Sequence, residues 1–116
     1  MSLESFIDAY AECAVWASTD DDGTPLDEVE GDLSEQAIEA LRKDATAFYE
    51  EAEPLWRDSW WTDEQAGHDF WLTRNRHGAG FWDRGQGALG DELTKAAKAW
   101  GSADLYVGDD GAIYHY

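Results

Sequence analysis

LWRDSWWTDEQAGHDFWLTRNRHGAGFWDRG, residues 55–85, follows Pro54 and carries five of the seven tryptophans of the chain. Whether this stretch is sheet or helix decides the fold. HDFWLTRN (68–75) and AGFWDRG (79–85) are short aromatic runs, and they read as two strands joined through Arg76, His77 and Gly78. Gly78 and Gly80 suit a tight connection or a bulge. Upstream, Leu3, Phe6, Ile7, Tyr10, Ala14 and Ala17 recur at helical spacing behind a Ser2 cap, so a first helix is expected over Leu3 to Ala17. Ser18 to Gly31 (STDDDGTPLDEVEG) reads as an acidic loop. A second helix is expected from near Asp32, with Glu35 reaching back to close a capping box, and it stops or restarts at Pro54. Its buried stripe is Leu33, Ala37, Ile38, Leu41, Ala45, Phe48, Tyr49 and Ala52. Downstream, Leu89 to Trp100 reads as a third helix ended by Gly101. ADLYVGDDGAIYHY (103–116) reads as a hairpin turning at Asp110–Gly111. The expected fold is α+β in the order α-α-β-β-α-β-β, with two N-terminal helices, two antiparallel hairpins and an intervening helix.

The composition bounds the function. The chain has 116 residues with a hydrophobic fraction of 43%, and its 26 acids against 8 Lys and Arg give a formal charge of −18. That length fits one domain over 1–116, with an acidic helical half (1–53) and a Trp-rich sheet half (54–116). A disordered acidic tail would lack the aromatic rings, so a folded aromatic core is expected. A pI near 4.1 argues against direct nucleic-acid binding, which needs Lys and Arg against phosphate. No apolar run reaches membrane-spanning length, and MSLESFIDAY lacks the basic start of a signal peptide, so a soluble intracellular chain is expected. Cys13 alone excludes an internal disulfide and a multi-cysteine metal site.

The charge is uneven. Residues 1–53 hold sixteen acids against Arg42 and Lys43, fourteen net negative charges, whereas residues 54–116 carry only four. B-DNA presents about one phosphate per 1.7 Å of axis, so fourteen charges match roughly 24 Å of duplex. Such a density opposes the compact state through self-repulsion. It implies either an acidic surface kept for a partner or adaptation to a salty cytoplasm.

Catalysis has one place to reside, the block His68–Asp69, Arg74–Asn75–Arg76–His77 and Asp83–Arg84, where imidazoles, carboxylates and guanidiniums could do acid–base or phosphate chemistry. On a strand, adjacent His68 and Asp69 face opposite sides, and no Ser or Cys nucleophile stands beside them in an elbow. The structural alternative is a hairpin whose arginines pair with acids. His68, His77 and Asp83 meet no standard metal spacing, and the DDDG of the loop fails as a calcium loop at both ends. No metal and no cofactor is therefore expected. Cys13 reads as a small core residue. Of the adjacent Trp60 and Trp61, one should stay exposed and could anchor a partner or a weak dimer.

From residue 58 to 114, through WWTDEQAGHDFWLTRNRHGAGFWDRG, LGDELTKAAKAWG and LYVGDDG, the chain resembles a family of small orphan proteins encoded by phages and other bacterial mobile elements. The acidic N-terminal half lies outside that resemblance. No enzymatic activity attaches to the block, so no catalytic residue comes with it. The resemblance implies a context instead, that of anti-CRISPR and anti-restriction inhibitors which occupy DNA-binding surfaces.

The expected function is a non-enzymatic inhibitor acting as an acidic DNA mimic in the host bacterial cytoplasm, as a monomer or weak dimer. Its partner would be a basic DNA-binding subunit of a host defence complex, a type I CRISPR complex being preferred, with no direct contact to nucleic acid or membrane. The candidate contact residues are Asp20, Asp21, Asp22, Asp27, Glu28, Glu30 and Asp32 in the loop and Glu35, Glu39, Glu50, Glu51 and Glu53 on the second helix. The alternatives are a small catalytic or metal-dependent protein built on the His68–Arg84 hairpin, and a salt-adapted acidic accessory domain.

Overall fold

Four helices and one C-terminal two-stranded hairpin make up the computed structural model, which describes residues 2–116. The helices are α1 (Leu3–Ala17), α2 (Glu35–Trp56), α3 (Asp63–Arg74) and α4 (Gly87–Lys98), and the strands β1 (Leu105–Val107) and β2 (Ile113–His115) follow. The observed order α-α-α-α-β-β corrects the expected α-α-β-β-α-β-β. The central stretch is helical, and only the last hairpin is sheet.

The physical reason lies in α3. Thr62 caps it, its hydroxyl accepting from the Gln65 N–H at 3.1 Å, and Asp63 and Glu64 occupy the dipole-favoured first turn. The helix runs through the centre of the molecule, so Asp63, Ala66, Gly67, Asp69, Phe70, Trp71, Leu72, Thr73 and Arg74 are all buried. A helix enclosed on nearly every side shows no one-faced 3.6-residue pattern, and its aromatic run mimics a strand. Gly67 lets α1 approach closely, because a Cβ there would lie 2.5 Å from the Phe6 carbonyl oxygen. The second expected strand, 79–85, is a 3-10 turn at Phe81–Asp83. Two bonds hold it, from the Phe81 N–H to the Thr73 hydroxyl at 3.0 Å and from the Gly80 N–H to the Asp83 carboxylate at 3.0 Å.

α1 forms where its apolar spacing places it, with Ser2 accepting from the Ser5 N–H at 3.1 Å. α2 departs from expectation at both ends. Ser34, not Asp32, is the cap, accepting from the Ala37 N–H at 3.1 Å. The helix also passes through Pro54 to Trp56, since Pro54 and Glu50 lie on the exposed side, where water can take the carbonyl that proline leaves unpaired. Ile38, placed in the buried stripe by its spacing, is exposed beyond the edge of the core. The core is a stack of aromatic rings. Phe48 and Phe70 lie parallel with centroids 3.9 Å apart, and Phe6 stacks on Trp56 at 5.5 Å.

In the hairpin Leu105 faces His115, Tyr106 faces Tyr114 and Val107 faces Ile113. The segment Asp32–Ser34 lies along β2, the Ile113 N–H donating to the Asp32 carbonyl at 2.9 Å and the Ser34 N–H to the Ile113 carbonyl at 2.8 Å. This approach demands glycine at 31, where a Cβ would sit 1.8 Å from the Gly111 carbonyl oxygen. The end of the acidic loop is thereby fixed to the tip of the hairpin.

Candidate functional site: an acidic surface around the C-terminal hairpin

The arginines of the chain are largely consumed by internal pairs. Arg42 pairs with Glu4 at 2.8 Å, Arg74 with Asp44 at 2.9 Å, Arg57 with Glu53, and Arg84 with Asp69 and, at 3.7 Å, with Asp83. Among the described residues these pairs engage four of the eight cations and five of the 26 acids, so twenty-one acids and only four cations stand outside them. Pairing inside the protein thus sharpens the acidity of what remains outside.

The hairpin gathers those acids. Asp20, Asp21 and Asp22 line a groove with Asp104 and β1 on one side. Glu30 and Asp32 meet Asp110 on the other side. Asp109 and Asp110 flank Tyr106 and Tyr114 at the tip. The rings of Tyr106, Tyr114 and Tyr116 share one face, Tyr106 lying 5.7 Å from Tyr114 and 4.7 Å from Tyr116. The Tyr114 hydroxyl donates to Asp110 at 2.6 Å, and with the Ala112 N–H this holds the Asp110 carboxyl below its ordinary range, so it stays charged. The same bond pushes the Tyr114 phenol up. Asp104, Asp109 and Asp110 belong to the surface although the sequence reading assigned the acidic face to the N-terminal half. The signal for Asp109 and Asp110 is the Asp110–Gly111 turn itself, which sets them at the loop end of the hairpin, whereas Asp104 lies at the opposite end, beside Tyr116.

The twelve carboxylates expected to bind do not share one environment. Asp21, Asp22, Asp27, Glu28, Glu30, Asp32, Glu35, Glu39, Glu50 and Glu51 are exposed. Asp20 is half-buried and builds the loop, accepting from the Asp22 and Thr24 N–H groups, each at 2.9 Å. Glu53 is only 7% exposed and is held by Arg57, which keeps its carboxyl low. On α2, Glu35, Glu39 and Glu50 fall within about 60° of azimuth at 100° per residue, while Glu51 lies roughly 100° round and accepts from the Trp100 indole at 3.3 Å. Arg42 and Lys43 interrupt that helix face, so the loop and hairpin hold the denser half of the surface.

The 68–84 block is divided by the fold. Asp69 is fully buried and accepts from the Trp61 indole at 2.9 Å, from Gln65 at 3.1 Å and from Arg84 Nε at 3.1 Å. Arg74 is buried over the Phe70 and Trp100 rings and donates to Tyr10, Asp44 and the carbonyls of Trp100 and Gly101. His68 sits by Trp16, whereas His77 and Asp83 are exposed, Asp83 capping the 3-10 turn. Among the described residues no three His, Cys, Asp or Glu side chains are grouped to hold a metal ion. The arginine–acid pairing expected of a hairpin is present at Arg74 and Arg84, carried by a helix and a turn, while Arg76 is exposed and, among the described residues, pairs with no acid. Cys13 lies buried, its thiol pushed up to about 12 by desolvation. Trp61 is buried and Trp60 exposed, in a bend and not in a strand. Among the described residues no helix is long and apolar enough to cross a membrane.

Comparison with family models, with curated proteins and with solved structures finds no match to this chain.

Proposed function

We propose that the chain is a non-enzymatic binding protein that presents a DNA-like acidic surface to a basic, DNA-binding protein and blocks it. The observation that carries this reading is the imbalance outside the internal ion pairs, twenty-one acids against four cations. The loop and hairpin acids would replace phosphates against Lys and Arg of the partner, and long-range attraction would speed the encounter. The resemblance to small phage and mobile-element proteins supports a defence complex of the host bacterial cytoplasm as the target, a type I CRISPR complex first among them. Direct nucleic-acid or membrane contact is not part of this reading.

The test is capture by the immobilised protein from a lysate of a CRISPR-bearing bacterium. The expected result is a DNA-binding subunit that duplex DNA and high salt both release, and that a variant with Asp21→Asn, Asp22→Asn, Asp27→Asn and Glu28→Gln no longer captures. Capture that DNA does not reverse, or that survives in the variant, overturns the reading.

A further inference from the structure

The two faces of the hairpin are treated differently by the fold. Successive residues of a strand alternate sides, so Leu105 and Ile113, each 2% exposed, turn into the core, while Asp104, Tyr106, Tyr114 and Tyr116 turn the other way. On that outer face Tyr106 meets both other rings, at 5.7 Å from Tyr114 and 4.7 Å from Tyr116. Tyr114 serves the hairpin itself. Its hydroxyl donates to Asp110 at 2.6 Å, and its ring lies against Gly108, where a Cβ would come within 2.5 Å of a ring carbon. A cross-strand aromatic pair steadies a hairpin without any ligand, which accounts for Tyr106 against Tyr114. It does not account for Tyr116, which lies beyond β2, leans on Tyr106 at a tilt of 41° and is 73% exposed.

Charge specifies what can cover this face. Tyr106 borders two grooves, one shared with Tyr116 and lined by Asp20, Asp21, Asp22 and Asp104, the other shared with Tyr114 and lined by Asp109 and Asp110. Neither groove is lined by Lys or Arg. Residues 18–34 hold seven acids and residues 99–116 hold three, with no Lys or Arg in either segment. The protein's own cation–π contacts lie elsewhere, where Arg74 covers Phe70 and Trp100. Exposed rings set among carboxylates suit a cation that is also flat. A guanidinium stacks on an aromatic face while its edge N–H groups meet carboxylate oxygens, and it sheds water more readily than an ammonium does.

We propose that Tyr106 and Tyr116 seat an arginine side chain of the partner, its guanidinium lying on the exposed rings with its N–H edge toward the aspartates of the adjoining groove. This rests on the acidic-surface reading and names the side chain that the surface selects. Standing in for phosphate needs only charge, which Lys and Arg satisfy alike. The tyrosines add a preference for arginine.

The probes are two blocked peptides of equal length and charge, one alternating Gly and Arg and the other Gly and Lys. Each is titrated into the full chain in dilute buffer while the ring resonances of Tyr106 and Tyr116 are followed. The expected result is a shift of both rings by the Arg peptide, which binds about fivefold tighter than the Lys peptide. Tyr116→Leu should weaken the Arg peptide about threefold and the Lys peptide less, whereas Tyr116→Phe, which keeps the ring, should bind as the parent does. Tyr106→Leu should act in the same direction, and Tyr116→Leu decides the matter if loss of the Tyr106–Tyr114 pair loosens the hairpin. Equal binding of the two peptides, or an arginine preference undiminished in Tyr116→Leu, overturns the tyrosine seat and leaves the acidic surface standing. Sedimentation of the free chain as a dimer that Tyr116→Leu dissociates would make a second copy the occupant and overturns it too. No binding of either peptide at low salt overturns both readings.

Discussion

Asp69 and Asp22 are both carboxylates of a strongly acidic chain, and their surroundings could hardly differ more. Asp69 is sealed within the helices, and Trp61, Gln65 and Arg84 together meet its oxygens. Asp22 stands in water on a loop beside a groove lined by three further aspartates and by no Lys or Arg. Around α3 the buried or half-buried cations, Arg74 and Arg84, are both spent on holding the fold together. Around the hairpin almost none is supplied. The contrast separates charge that builds the molecule from charge that is offered outward.

The sharpest way to break that contrast is to neutralise the buried acid. Asp69→Asn leaves the Arg84 guanidinium against a neutral amide and should cost about 3 kcal/mol in denaturant unfolding, toward the low end for a broken buried pair because Arg84 is partly exposed. If the variant unfolds like the parent, the buried network is not what holds α3. A smaller loss, about 1 kcal/mol, is expected from Thr62→Ala, which removes the cap of the same helix. The four-site neutralisation of Asp21, Asp22, Asp27 and Glu28 should do the reverse, changing stability by no more than about 0.5 kcal/mol or raising it as repulsion falls, while partner binding is lost. A large destabilisation there would mean that the outward charge is structural after all.

Salt and pH sharpen the comparison further. The protein should be folded in dilute buffer and gain modestly as salt screens the exposed acids over a Debye length of about 10 Å at 0.1 M. A chain that folds only in molar salt would instead be salt-adapted, and its acidity would need no partner. The smallest effect expected is at His115, whose imidazole burial holds below its ordinary value near 6.5, against Asp44 and Asp104, which pull it up, and with Arg74, which pushes it down. The unfolded chain then takes the proton first, so the stability contributed above that value is lost as pH falls through it. Thermal melts from neutral to mildly acidic pH should show this slope, and His115→Gln should flatten it.

The sequence made α1 legible because one face of that helix meets water and the other the core. α3 was hidden by the opposite circumstance. Buried on nearly all sides, it offers aromatic and polar residues in an order that alternation explains as well as helical periodicity does. The decisive local clue was Thr62–Asp63–Glu64–Gln65, a cap followed by acids, which outweighs the aromatic run that follows. Pro54 misled in the same way, since a proline on the wet side of a helix leaves a carbonyl that water can serve. The acidic surface was half visible. Its loop could be read directly, but Asp104, Asp109 and Asp110 join it only through pairing of Asp32–Ser34 with β2, a contact that no local pattern announces. Nor could spacing reveal that Asp20 turns inward to build the loop, or that Glu53 is tied down by Arg57.

The central claim is that the outward charge stands in for phosphate, and a competition titration tests it most directly. The subunit captured from the CRISPR-bearing lysate is bound to labelled duplex DNA, and this chain is added at a series of salt concentrations. The account predicts stoichiometric displacement of the DNA, weakening steadily as salt rises and absent for the four-site variant. A ternary complex in which DNA stays bound, or displacement indifferent to salt and to the four substitutions, would contradict it.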